Sequence, residues 1–138
     1  MGADIDPIFG PMLVQVFLGL MVVLILGYRR VGAMRKLGFE TIAKDGFPTK
    51  AVNTNDNLRN QFEIPVLFYV LCFFFGLVGE TTPTVLLMAW FFVGLRYFHA
   101  IIQLTSNVIF PWRFGSFVIS TFVVVAMFVV AGLQVLAA

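Results

Sequence analysis

Five stretches of this chain contain no Lys, Arg, Asp or Glu: Pro7 to Tyr28, Ile64 to Gly79, Thr81 to Leu95, Tyr97 to Trp112, and Phe114 to Ala138. About 20 apolar residues in a helix cross the roughly 30 Å hydrocarbon core of a bilayer, so the pattern predicts membrane-spanning helices. We read four, over residues 7–28, 62–79, 83–105 and 114–136, in one domain covering 1–138. Gly79-Glu80-Thr81-Thr82-Pro83 reads as a tight turn, with Pro83 at the first helical position. Residues 29–58 read as a long loop. Within it, Val31 to Ala43 suits a short interfacial helix whose basic side chains face headgroups, and Asp45-Gly46-Phe47-Pro48 suits a turn. From Asn53 onward the second helix is expected to begin ahead of the membrane, with Asn53 or Asn55 as N-cap and Asp56 near the positive helix end. Pro65 lacks the N–H that the Gln61 carbonyl needs and is expected to kink that helix. Ser106 to Trp112, broken by Pro111, forms the second connection on the same side.

Of the 138 residues, 60% are hydrophobic and 12% charged, half the charge of an ordinary soluble domain, about 25%. The chain therefore reads as an all-α integral membrane protein. Its formal charge of +2 makes no case for nucleic acid. Seven of the nine Lys and Arg residues lie between Arg29 and Arg59, with only Glu40, Asp45 and Asp56 opposing them. The positive-inside rule assigns that segment to the cytoplasm and both termini to the other side. The first apolar stretch does not read as a signal peptide: Asp4 and Asp6 precede it and the run is too long. With one cysteine, Cys72, no internal disulfide can form. Its neighbours Leu71 and Phe73 point to packing, since a thiol in apolar surroundings is a poor nucleophile.

Three ionisable residues, Glu63, Arg96 and His99, fall within or at the edges of the spans, where they are expensive and mark function by default. At about 1.5 Å per residue, Glu63 and Arg96 both lie roughly 10 Å from the cytoplasmic edge. They are placed to pair across antiparallel helices, as part of a site or as an ion pair fixing register. Asp56, Asn60 and Glu63 share one helix face, with Arg59 beside them. That set suits a ligand bearing an ammonium group and carboxylates, or else a solvated helix start. Arg96, His99 and Gln103 form a polar stripe along the third helix. A single histidine is poor evidence for zinc or haem, and no metal site is expected. Arg113 opens the fourth helix beside Trp112 and taken alone reads as an interfacial anchor. Ser116 and Ser120 have a small-xxx-small spacing. There is no Gly-rich phosphate loop, nucleophile elbow or HExxH.

Taken together, Asn60-Gln61-Phe62-Glu63-Ile64-Pro65-Val66-Leu67-Phe68, Arg96-Tyr97-Phe98-His99 and the later Arg113 resemble the MAPEG family, the membrane-associated proteins in eicosanoid and glutathione metabolism. The short form looks like its bacterial branch. The resemblance implies a homotrimer of four-helix bundles, in a bacterial inner membrane, that binds glutathione as co-substrate between neighbouring subunits near the cytoplasmic face. It implies that Arg59, Asn60 and Glu63 hold the glutathione backbone, that Arg113 stabilises the thiolate, and that His99 lines the pocket. It further implies a part for Arg29 or Arg30. Arg96 belongs to the same motif and joins the candidate binding set. The chain departs from the eicosanoid-forming members at Gln103 and Ile101, where they carry tyrosines, at Phe114, where a serine would help, and at Asp56, where they carry an arginine. Prostaglandin or leukotriene synthesis is therefore not expected.

Three classes of function follow. The first is a glutathione-transferase-like or peroxidase-like enzyme acting on lipophilic electrophiles or lipid hydroperoxides. The second is an accessory subunit of a membrane complex, identified by a stoichiometric partner. The third is a proton-coupled transporter, which needs an unpaired Glu63 facing a cavity.

Overall fold

A computed structural model describes residues 5–138; Asp4 of the acidic start lies outside them. Six helices follow in order: α1 Phe9–Leu37, α2 Phe39–Asp45, α3 Thr49–Gln61, α4 Ile64–Leu77, α5 Pro83–Thr105 and α6 Phe114–Ala137. With α3 and α4 end to end, they make four apolar spans in an up-and-down bundle. The environment is a lipid bilayer, and large side chains such as Leu20, Leu24, Phe91, Phe122 and Phe128 stand exposed towards it.

Residues 29–58, expected as a loop with a short helix over 31–43 and the second helix beginning from Asn53, are helical except around Gly38 and at residues 46–48. Helix α1 has 29 residues, about 44 Å at 1.5 Å each, so it outruns the charge-free stretch by two turns. Good helix formers from Ala33 to Leu37 carry it on, because the end of the hydrocarbon core is not a helix-stop signal. It stops at Gly38, whose φ of +78° ends the helical path while its N–H bonds the Met34 carbonyl at 3.0 Å. Gly46, at φ +81°, closes α2 the same way. Helix α3 then starts at Thr49, with the Pro48 carbonyl accepting from Ala51 and Val52. Asn53 and Asn55 thus sit inside the helix and neither is its N-cap. Thr82 caps α5, its hydroxyl accepting from the Val85 N–H.

The second span breaks at Phe62–Glu63, where Pro65 offers no N–H to the Gln61 carbonyl. Glu63 leaves the helical path (φ −94°, ψ −100°). Below the break the core is apolar: Phe68 of α4 stacks on Phe92 of α5 with centroids 4.3 Å apart, over Cys72, Phe75, Val124 and Met127. Cys72 is fully buried there. Above it the interior turns polar, with Gln15, Asn57, Gln61, Arg96, His99 and Gln103 all buried.

The far end of the bundle is fixed by two close approaches. Gln134 of α6 accepts from the Glu80 N–H and donates to its carbonyl, both at 2.9 Å, and so pins the turn between α4 and α5. Gly76 lets α4 lie against the start of α1: an added Cβ would stand 2.7 Å from the Phe9 ring and 3.0 Å from Ile8. Gly76→Val is expected to force that first turn away and cost about 1–3 kcal/mol, read as a lower unfolding temperature in detergent. An unchanged value would mean that α1 tolerates the displacement.

Candidate functional site

The break between α3 and α4 is also where the polar residues converge. Its freed Asn60 carbonyl accepts from Arg96 Nη2 at 2.7 Å, so the fully buried guanidinium replaces the donor the helix lost. This corrects the expected pairing of Arg96 with Glu63. Arg96 is turned to backbone, and the Glu63 carboxylate stands exposed at the break. The Asn60 side chain is held as well, its Nδ2 donating to Gln103 Oε1 at 3.1 Å. That leaves its Oδ1 as an available acceptor.

Two adjoining cavities, of about 250 and 230 Å³, share Asn60, Glu63 and Arg113. The first is also lined by His99, Phe114 and Phe117; the second by Asp56 and Arg59. They form one groove with cationic and anionic groups on the α3 side and apolar rings on the α6 side. Asp56, Asn60 and Glu63 thus line the same hollow even though the helix breaks between them.

Arg113 is set by its surroundings. Its Nη1 donates to Asn107 Oδ1, and Asn107 sits at φ +51°, a conformation asparagine tolerates better than most residues. The Arg113 carbonyl accepts from Ser116 Oγ at 3.0 Å and lies 3.0 Å from His99 Nδ1. A carbonyl only accepts, so this contact is a hydrogen bond in the tautomer that carries its proton on Nδ1. His99 therefore clamps the backbone that carries Arg113 as well as lining the groove. Its Nε2 is buried and has no hydrogen-bond partner among the described residues.

Arg29 and Arg30 lie outside this groove. Arg29 ties α1 to its neighbours, donating to the Thr54 hydroxyl at 2.6 Å, the Lys50 carbonyl at 3.1 Å and the Leu104 carbonyl at 3.2 Å. Arg30 donates to Asn55 Oδ1 at 2.9 Å and lies over the Phe47 ring. Within one chain both act as ties between α1 and α3. Among the described residues, no group of three His, Cys, Asp or Glu side chains is placed to hold a metal ion.

Several residues that support the site escaped the sequence reading. Gln15, Asn57 and Gln61 form a buried ladder: Gln15 Nε2 donates to Gln61 Oε1 and Gln61 Nε2 to Asn57 Oδ1, each at 2.9 Å, and Asn57 Nδ2 donates to the Ala100 carbonyl at 3.0 Å. The i, i+4 spacing of Asn57 and Gln61 was the available signal. Gln15, alone in an apolar helix, was the other. Asn107 left no comparable mark.

No curated protein and no solved structure matches the chain. A family model does, over residues 8–133 of 138, and it contains every element described above from the start of α1 to the last turns of α6. The chain belongs to the MAPEG family.

Proposed function

We propose that this protein binds glutathione in the groove at the α3–α4 break and activates its thiol towards lipophilic electrophiles or lipid hydroperoxides. The observation that carries this reading is the convergence of Arg59, Asn60, Glu63, His99 and Arg113 on one hollow at the edge of the apolar bundle. Glutathione offers an ammonium group, amides, two carboxylates and a thiol. Glu63 takes the ammonium, the free Oδ1 of Asn60 an amide N–H, and Arg59 a carboxylate. Arg113 faces the thiol. A thiol titrating near about 8.5 is mostly protonated at pH 7, and a neighbouring guanidinium favours its anion. Phe114 and Phe117 supply the apolar wall along which a lipid-soluble second substrate approaches from the membrane. The oligomer is a homotrimer that places each groove at a subunit boundary, where Arg29 or Arg30 of a neighbouring copy completes it. The basic end faces the cytoplasm of a bacterial cell.

The test is the ultraviolet absorbance of thiolate when the detergent-purified protein is mixed with glutathione. A saturable signal supports the reading. Its absence in folded protein would overturn it in favour of an accessory membrane subunit, to be sought through a stoichiometric partner in mild detergent. Gln103→Leu removes the acceptor that orients Asn60. The loss of one hydrogen bond is expected to weaken glutathione half-saturation about tenfold, with the thiolate signal at saturation unchanged. A loss of that saturating signal instead would assign Gln103 to the thiol end of the site.

A further inference from the structure

A second cavity, of about 610 Å³, is not the groove above and shares no residue with it. It lies between the last turns of α1 and the start of α3. Arg29, Arg35, Lys36 and Lys50 line it, and no carboxylate does. Among the described residues the Arg29 guanidinium hydrogen-bonds to neutral oxygens alone, so four cationic groups share a hollow with no carboxylate among its lining residues. Gly27 and Gly32 of α1 also line it, and a Cβ at either would meet nothing within 4 Å. Its wall also includes Tyr28, which is 82% exposed and ends the charge-free stretch. An aromatic residue in that position marks the level of the headgroups.

We infer that this cavity binds the phosphate group of an anionic phospholipid, with the headgroup among Arg29, Arg35, Lys36 and Lys50 and the acyl chains lying along α1. Basic pockets between helices at the membrane surface recognise anionic headgroups in this way. The uncapped start of α3, with no acidic residue in its first turn, adds a favourable field for the same charge. A free phosphate shares this chemistry. The position at the membrane edge and the apolar wall of Tyr28 and Val31 favour the lipid.

Native mass spectrometry of the whole protein in neutral detergent tests this, with phosphatidylglycerol and phosphatidylcholine added at equal concentration. The wild type is expected to retain the anionic lipid, and the triple variant Arg35→Gln, Lys36→Gln, Lys50→Gln to lose on the order of a hundredfold in affinity. Gly32→Leu keeps every charge and fills the hollow, and the same loss is expected; Gly27→Leu is a second filling variant should the first misfold, with elution and circular dichroism as the check. Equal retention of both lipids would overturn the inference. So would full retention in the filling variants, which would assign the attraction to the basic surface alone. Displacement of the lipid by inorganic phosphate would overturn the lipid as source and leave a soluble phosphate as the occupant. These variants leave Arg29, Arg30 and the glutathione groove unaltered, so thiolate absorbance with glutathione in the same variants keeps the two readings apart.

Discussion

Arg113→Ala protein mixed with glutathione is expected to give at most about a tenth of the wild-type thiolate absorbance, with elution and helicity unchanged. At pH 7 a thiol titrating near 8.5 is only about 3% ionised. One full charge roughly 4 Å away at an effective dielectric near 20 is worth about 4 kcal/mol, enough to reverse that ratio. Alanine removes the charge and the bond to Asn107, but Arg113 is only partly buried and its backbone clamp by His99 and Ser116 does not involve the side chain. The fold should therefore survive. Arg113→Lys is the informative companion: it restores a charge on a flexible stem without the guanidinium fork, and an intermediate signal is expected. Wild-type absorbance from the alanine variant would remove Arg113 from the chemistry.

The second large effect concerns stability. Asn57→Leu is expected to cost about 2 kcal/mol, because it orphans the buried Gln61 amide in a place water does not reach. Double-mutant measurements in membrane bundles set the typical polar contact lower, near 0.6 kcal/mol. The larger figure is expected here because Asn57 is wholly buried and touches both α3 and α5. The triple variant Gln15→Leu, Asn57→Leu, Gln61→Leu leaves no rung unpaired and should regain most of the loss, since removing all partners avoids the desolvation penalty. Thermal unfolding in detergent decides it. A triple variant less stable than Asn57→Leu would mean that the ladder holds α1, α3 and α5 by more than mutual satisfaction.

A ladder of this kind shows how far pattern alone reaches in a membrane protein. Lipid tails are as apolar as the core, so composition does not tell a buried Leu from a lipid-facing one. Polar residues inside a span are the ones that must be buried or paired, and for that reason Glu63, Arg96, His99 and Gln103 stood out by position. What each touches did not follow. Depth arithmetic brought Arg96 and Glu63 to the same level, yet the broken helix gives Arg96 a backbone carbonyl to satisfy.

The sequence by itself determined the class of protein, the four apolar spans, the kink at Pro65 and the family motif of Asn60, Glu63 and Arg113, because charge-free runs and a missing proline N–H act locally. Only the tertiary structure decided that His99 and Asn107 position Arg113, that Arg29 and Arg30 tie α1 to α3, and that the polar groove and the basic cavity share no residue within the chain. Those outcomes depend on which faces meet across helices, where each buried donor finds an acceptor, and no spacing along a single helix specifies that pairing.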